Sequence, residues 1–377
     1  MLRSSISSSE TFTTRVLSDT LRVRPRIPRC VLLATVGLIL AELLIARTNF
    51  MWKMAPNNGL GMLFTLEHSI IQSNPKPRVV IFGDSRSRGA FLPALMEQRM
   101  GLERGRVLNL AMGGARPFDD LKIYERNRSV LAQADAVVIG VDAWNFSRGV
   151  PPSPLYRYYA NWADRLEYTG AHRFSLMRHL LFRLPDALPS FQGYVKHWIK
   201  EGRPPRPTGI DKYGRLAVDP LDNNHDKNNF KTPALRYWIT HFYSDYQYSS
   251  GFEGHLVKLL TLLREDGARV YLVRLPTAGT YTTMLEQYDG DPLGQFRKNM
   301  TRVAGAWGEA VQFREFVPED AGLSDRDFRD WGHLNNDGAV RWTEFFVRWL
   351  GTVHAGRPGG QLGSDSRTAR APAQSLN

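Results

Sequence analysis

The stretch that decides the fold is "VVIFGDSRSRGAF", residues 79–91. Four apolar residues lead directly into Gly83, and no apolar residue follows until Ala90. A short continuous apolar run that ends at a glycine is typical of a strand buried on both faces. The sequence therefore predicts a strand that stops at a sharp corner, with Ser85 on the turn. Ser85 is then either an ordinary helix cap or a nucleophile at the rim of a sheet.

The same alternation recurs along the chain. Apolar runs stand at 78–82, 106–110, 134–142, 269–274 and 311–313, and helical patterns at 88–100, 122–133, 251–266, 294–308 and 337–350. Buried strands that alternate with helices predict an α/β fold, a three-layer, doubly wound parallel sheet. Sites in such sheets form beyond the carboxyl ends of the strands. Four residues follow predicted strand ends and share that rim: Ser85, Gly113, Asp142 and Thr277.

Composition and charge exclude several classes of protein. The 377 residues are 42% hydrophobic and 23% charged, which is typical of a globular chain. A single cysteine, Cys30, excludes an intrachain disulfide and a cysteine-rich zinc site. Half of the net charge of +12 lies in residues 1–29 and 352–377, and no basic block stands between them. Nucleic acid is therefore not an expected partner.

Residues 30–46, "CVLLATVGLILAELLIA", predict a transmembrane anchor. They are apolar except for Thr35 and Glu42, and their length is the lower limit for a span. Four arginines crowd the N-terminal side, whereas Arg47 and Lys53 follow more thinly. This asymmetry places the N-terminus in the cytoplasm and the body outside, so we expect an uncleaved, single-pass inner-membrane protein. A buried core helix is the alternative.

The expected organisation follows from these segments. Residues 1–29 predict a disordered cytoplasmic tail, 30–46 the anchor, 47–351 the α/β domain and 352–377 a second disordered tail. Residues from about 145–250 break the α/β alternation and are rich in proline, tyrosine and tryptophan. We interpret them as a large insertion that caps the rim. Aromatic faces suit sugar rings, and packing within the insertion's own core is the alternative.

A serine needs a base that takes its proton and an acid that orients the base. Among the nine histidines, His333 stands in the loop "FRDWGHLNND" before the last helix, three residues after Asp330. That spacing lets the carboxylate meet one imidazole nitrogen while the other faces the rim. Alone, the pattern is common, and a loop cap with a surface histidine is the alternative. No metal-ligand cluster and no phosphate-binding loop occurs, so no metal and no cofactor is expected.

The two motifs together, "GDS" at 83–85 and "DWGH" at 330–333, resemble those of the SGNH/GDSL hydrolase superfamily, with a flavodoxin-like sheet. The resemblance implies that Ser85 is the nucleophile, His333 the base and Asp330 the acid. The family's second motif supplies an oxyanion-hole N–H beside that of the serine. In "NLAMGGARP" Gly113 or Gly114 fits that place.

The family's third motif is changed here. Its pattern is G-x-N-D, with the Asn side chain as a further oxyanion donor, and this chain has "GVDAWN" with Asp142 in that position. An ionised Asp142 would repel an oxyanion, so we expect it to orient the loop, with Asn145 as a replacement donor. Loss of one donor costs on the order of 10²–10³ in rate. Asp84 is expected to hold the turn. Arg86 and Arg88 are expected to be exposed surface residues, and binding of an anionic glycan at the rim is the alternative.

The anchor, the external body and the changed third motif resemble one branch of the superfamily. These are membrane-anchored bacterial proteins of the alginate O-acetylation and D-alanyl transfer types. They modify extracytoplasmic polysaccharides, often beside a membrane-bound O-acyltransferase that supplies the acyl group. The resemblance implies a periplasmic O-acyltransferase, with acetyl as the expected group and polysaccharide as the substrate. A glycan or lipid esterase with the same triad and a non-catalytic glycan-binding envelope scaffold are the alternatives.

Overall fold

The described part of the chain forms one sheet of five parallel strands. The computed structural model describes residues 28–43, 66–72, 76–150, 184–203 and 230–355, together with 63, 153, 159, 160, 163 and 164. The strands are β1 (Val79–Phe82), β2 (Val107–Asn109), β3 (Ala136–Gly140), β4 (Arg269–Arg274) and β5 (Val311–Glu315). Their spatial order is β2-β1-β3-β4-β5, all parallel. This is a doubly wound order, whose direction reverses between β1 and β3.

Ten helices lie within the described residues, and several of them begin where the sequence supplies a cap or a proline. They are α1 (Arg29–Ala41), α2 (Ser85–Ala90), α3 (Pro93–Met100), α4 (Pro117–Leu131), α5 (Leu184–Glu201), α6 (Thr232–Tyr243), α7 (Ser250–Glu265), α8 (Gly279–Glu286), α9 (Pro292–Ala306) and α10 (Asn336–Ala355). A π-helical segment covers Leu66–Ile71, and 3₁₀ turns cover Ala143–Phe146, Gly308–Ala310, Pro318–Ala321 and Asp325–Asp327. Side chains at Asp84 and Ser249 cap α2 and α7, and prolines start α3, α4 and α9.

Helices cover both faces of the sheet. On one face, Val79 and Ile81 of β1 share a buried cluster with Met96 of α3 and with Trp342 and Phe346 of α10. The other face carries α4 and α7, which pack against each other, and the ring of Tyr124 meets that of Phe82 edge to face at 6.4 Å. Because side chains alternate along a strand, the central strands β1 and β3 are buried at every position, whereas the edge strand β5 also carries Gln312, Arg314 and Glu315. The α/β prediction from the sequence is confirmed.

Several element boundaries differ from the sequence-based ones; for example, α4 begins at Pro117, where the sequence predicted a start at 122. The helix predicted over 88–100 is two helices, α2 and α3, and α2 begins at Ser85 itself. Pro93 causes the break because it disfavours a helical conformation at the preceding residue, and Leu92 is extended. At the other end, α10 continues to Ala355, inside the segment predicted as a disordered tail.

Helix α1 lies in a unit of its own, Met1–Asn49, separate from Phe50–Asn377. Its apolar side chains are exposed: Val31, Leu32, Leu33, Val36, Leu38, Ile39 and Leu40. Among the described residues, none of the helices combines the length and the apolar character that crossing a membrane requires. The predicted anchor extends past α1, and its residues 44–46 lie outside the described residues.

The predicted insertion, about 145–250, is described in part. It contains α5 and α6, whereas most of 151–183 and all of 204–229 lie outside the described residues. The same holds for 1–27 and 356–377, which make up most of the predicted disordered tails.

Replacing Trp342 by Ala should lower the free energy of unfolding by about 3–5 kcal/mol, measured by urea denaturation. Trp342 is fully buried on α10, and its ring packs against Phe91, Phe316 and Phe346. The loss combines the transfer of a large apolar side chain with the cavity left behind.

Val340→Ala on the same helix is the control, because Val340 is exposed. It should change stability by no more than about 0.5 kcal/mol. Equal losses in the two variants would contradict the assignment of the inner face of α10.

Candidate active site

The corner after β1 is built by close approach of two backbones. Gly83 has φ of +123°, and a Cβ there would lie 2.8 Å from the carbonyl oxygen of Gly140. A Cβ on Gly140 would in turn overlap the hydroxyl of Ser87. Both positions therefore favour glycine, because the opposing backbone and the Ser87 hydroxyl fill the space that a Cβ would need. This lets the chain turn directly from the strand into α2, with Ser85 as the first helical residue.

Asp84 holds this corner, as the sequence predicts. One carboxylate oxygen accepts the backbone N–H groups of Arg86 at 2.9 Å and Ser87 at 3.4 Å. The other accepts the indole N–H of Trp144 at 3.0 Å and the Arg86 side chain at 3.4 Å. The carboxylate thus caps α2 and joins it to the loop after β3. Because both of its oxygens accept these hydrogen bonds, Asp84 has a structural role.

Ser85, His333 and Asp330, separated by almost 250 residues in sequence, lie in one hydrogen-bonded line. Oγ of Ser85 is 2.8 Å from Nε2 of His333, and Nδ1 of His333 is 2.9 Å from both carboxylate oxygens of Asp330. All three side chains are partly exposed. This is the arrangement of a nucleophile, a base and an orienting acid.

The protonation state of the line follows from Asp330. Burial alone raises the pKa of Asp330, but the imidazole of His333 and the N–H groups of Gly332 and His333 outweigh it and lower that pKa. An ionised carboxylate can only accept, so Nδ1 of a neutral His333 carries the proton. Nε2 is then the free acceptor that faces the hydroxyl of Ser85.

The loop that carries His333 is fixed by its tryptophan. The carbonyl of Trp331 accepts the N–H of Ala278, which follows β4, at 2.9 Å. Its ring stacks on Tyr281 of α8 with centroids 4.3 Å apart. The backbone hydrogen bond and the ring contact of Trp331 therefore hold the "DWGH" loop, and His333 with it, against the segment that follows β4.

Two backbone N–H groups are available beside the serine. In the part of the chain that the structure describes, neither the N–H of Ser85 nor that of Gly114 has an acceptor. Gly114, with φ of +73°, lines the same cavity as Ser85, whereas Gly113 does not. Of the two predicted glycines, the geometry favours Gly114.

Asn145 does not take the place expected for it. Its amide oxygen accepts the N–H of Asp142 at 2.7 Å, and its amide nitrogen donates to the carbonyl of Ala115 at 3.1 Å. The side chain is buried and does not line the cavity. Asn145 therefore closes the 3₁₀ turn after β3. Because its amide is already bonded to two backbone groups, the prediction that Asn145 is an oxyanion donor is corrected.

Asp142 is a buried ion-pair centre. One carboxylate oxygen is 3.0 Å from a terminal nitrogen of Arg86 and 3.1 Å from Nε of Arg274, and the other accepts the hydroxyl of Tyr243 at 3.1 Å. Burial by itself raises the pKa of Asp142, but the two arginines outweigh it and hold that pKa at about 2. Asp142 is therefore ionised, and its negative charge is balanced by the two arginines.

The arginines after Ser85 are buried, not exposed as expected. Arg86 is 4% and Arg88 8% exposed. Burial alone lowers the pKa of Arg86, but the carboxylates of Asp142 and Asp84 outweigh it and raise that pKa above its usual range. Asp142 follows a strand 56 residues later in the chain, so the sequence gives no sign of its ion pair with Arg86.

A cavity of about 260 Å³ opens over the serine. It is lined by Asp84, Ser85, Arg86, Gly114, Arg116, Trp144, Val150, Ser153, Phe242, Trp331 and His333. Sequence analysis missed Arg116, Trp144 and Phe242, because no motif marks residues contributed by separate elements. Within the described ranges, no group of three or more His, Cys, Asp or Glu side chains could hold a metal ion.

Known proteins do not identify the family of this chain. No family model and no curated protein sequence matches it. Among solved structures, it is similar to a "putative platelet activating factor from Streptococcus pneumonia", with 11% identity and a TM-score of 0.31 over 84% of this chain and 98% of that one. A similarity at this TM-score carries no argument about fold or activity.

Asp142→Asn should lower the free energy of unfolding by about 3 kcal/mol, because it leaves Arg86 and Arg274 without their shared counter-charge. This is the lower end of the range for a broken buried pair, since Asp84 and Glu315 still face the two arginines. Urea denaturation measures it, and Asp325→Asn, at an exposed carboxylate, is the control.

The stability of the wild type and that of Asp142→Asn should also depend differently on pH. The folded-state pKa of Asp142 lies below its ordinary value of 3.8, so its contribution is present above that value and is lost as pH falls towards about 2. Wild-type stability should decrease more steeply between pH 4 and pH 2 than that of Asp142→Asn. Parallel curves would contradict an ionised Asp142.

Proposed function

We propose that this protein is a serine-dependent acyl-ester enzyme of the SGNH type. The observation that carries the proposal is the hydrogen-bonded line from Ser85 through His333 to Asp330 at the floor of an open cavity. The unpaired N–H groups of Ser85 and Gly114 beside it support the assignment of an oxyanion hole. A non-catalytic scaffold has no need of all these groups in one place.

In the first half-reaction, Oγ of Ser85 attacks the carbonyl carbon of the acyl donor while its proton passes to Nε2 of His333. The developing oxyanion accepts hydrogen bonds from the N–H groups of Ser85 and Gly114. The imidazolium, stabilised by Asp330, then returns the proton to the leaving oxygen as its bond to carbon breaks. The acyl group remains on Ser85.

In the second half-reaction, a hydroxyl group gives its proton to Nε2 of His333 and attacks the acyl carbon. The bond to Oγ breaks, and Ser85 recovers the proton. A sugar hydroxyl as acceptor makes the enzyme a transferase, and water makes it an esterase. We propose transfer of an acyl group, with acetyl as the first candidate, to polysaccharide.

The esterase reading is favoured by one specific observation. The side chains of His333 and Asp330 are 23% and 19% exposed, so water reaches the base in the described part of the chain. A transferase must exclude that water when its acceptor binds. Glycan or lipid esters are therefore the alternative substrates for the same three residues.

We further propose that the enzyme acts outside the cytoplasm on an N-terminal anchor, beside a membrane-bound O-acyltransferase as acyl donor. The support lies in the sequence of 30–46 with its flanking arginines and in the exposed apolar side chains of α1. The anchor requires the helix to continue through 44–46.

A fluorophosphonate probe should label the wild-type protein at Ser85. Ser85→Ala should abolish labelling, and His333→Ala should slow it by on the order of 10²–10⁴, because the base that takes the Oγ proton is missing. Mass spectrometry of the labelled peptide measures both. Ser250→Ala, at an exposed serine, is the control. A folded wild type without label would support the scaffold instead.

Transfer and hydrolysis separate in a two-arm assay with p-nitrophenyl acetate as donor. With an oligosaccharide acceptor, we expect acetylated saccharide in mass spectra and faster steady-state release of nitrophenol, because faster removal of the acyl group from Ser85 frees the serine for the next donor. Release at one rate in both arms, without acetylated saccharide, would contradict the transferase and leave the esterase.

A further inference from the structure

An aromatic surface runs from the cavity onto the outer face of α6. Phe242 and Trp331, both in the cavity lining, have ring centroids 6.0 Å apart. Trp238, one turn before Phe242, stacks on it at 5.7 Å and 16° and lies 6.5 Å from Trp331. Tyr237 meets Trp238 edge to face at 5.3 Å. The rings therefore form a continuous path away from Ser85.

The path ends in a shallow groove on α6. Its lining residues are Pro233, Arg236, Tyr237, Thr240, His241 and Ser244. Tyr237 is 62% exposed, and its ring stacks on that of His241 at 5.9 Å and 14°. Hydroxyl groups, a guanidinium and an imidazole surround the exposed ring, and none of these lining side chains is a carboxylate.

Packing of α6 does not require these exposed aromatic residues. The helix buries Leu235, Ile239 and Tyr243, which recur every four residues along one stripe. Tyr237 lies on a different face and gains little from burial in the protein. An exposed aromatic ring with neighbouring hydrogen-bond donors suits a ligand with one apolar face and a polar edge.

A pyranose ring has that character, because its C–H groups share a face and its hydroxyl groups lie at the rim. We propose that the α6 groove is a binding subsite for a saccharide chain whose reacting unit lies at Ser85. The statement that the reacting unit lies at Ser85 rests on the proposed function, whereas binding of a saccharide in the α6 groove does not. Arg236 and His241 in the groove are compatible with neutral and with acidic sugars. The ligand is therefore defined by what these sugars share, a chain of pyranose rings.

The test uses the full-length chain carrying Ser85→Ala, so that binding is measured without turnover. Calorimetry with three hexasaccharides, a neutral hexose, an N-acetylhexosamine and a uronic-acid oligomer, should reveal binding of at least one. Adding Tyr237→Ala should weaken that binding roughly tenfold, since a stacked aromatic ring is lost, and Tyr237→Trp should restore it. Trp198→Ala, at a similarly exposed ring on α5, is the matched control and should change nothing.

A second readout separates the subsite from the chemistry. Tyr237→Ala in the otherwise wild-type protein should lower acetyl transfer to the hexasaccharide far more than hydrolysis of p-nitrophenyl acetate, because that small ester needs only the cavity at Ser85. No binding of any hexasaccharide, or equal losses in Tyr237→Ala and Trp198→Ala, would overturn the subsite and leave the acyl-ester proposal standing. Saccharide binding that depends on Tyr237, without fluorophosphonate labelling of Ser85, would keep the subsite and overturn the catalytic proposal.

Discussion

The buried carboxylate of Asp142 is the constraint on which this rim of the sheet depends. It follows β3, and its two arginine partners come from either side: Arg86 from the helix after β1 and Arg274 from the end of β4. Arg274 continues the network to Glu315 at the end of β5. A buried charge without a partner is costly, so the carboxyl ends of these strands are held together in one arrangement.

This network also sets the electrostatics of the proposed active site. Arg86 is adjacent to Ser85, and its positive charge is balanced by Asp84 and Asp142. The carboxylate of Asp142 is thus balanced by two arginines. The oxyanion donors that we propose, the N–H groups of Ser85 and Gly114, are backbone groups and do not depend on the side chain at position 142.

The surroundings of the cavity combine two kinds of packing. Its apolar wall comes from Trp144, Phe242 and Trp331, one from each of three separate segments. The ring centroids of Trp144 and Phe242 are 5.6 Å apart, and those of Phe242 and Trp331 are 6.0 Å apart, so the rings of this wall pack against one another. Trp331 is held in the wall by its stacking on Tyr281, and the row of rings reaches solvent along α6 at Tyr237.

Sequence alone indicated the parallel α/β class, because apolar runs that end in turns are a local signal. The grouping of Ser85 with His333 and Asp330 was only implied by the resemblance of two short motifs, and the structure brings the three side chains within hydrogen-bond distance. Tertiary structure alone decided that Arg86 is buried, that Asn145 holds a loop and that Gly114 faces the cavity. Each outcome depends on partners more than twenty residues away, and no spacing in the sequence records which strand ends will meet.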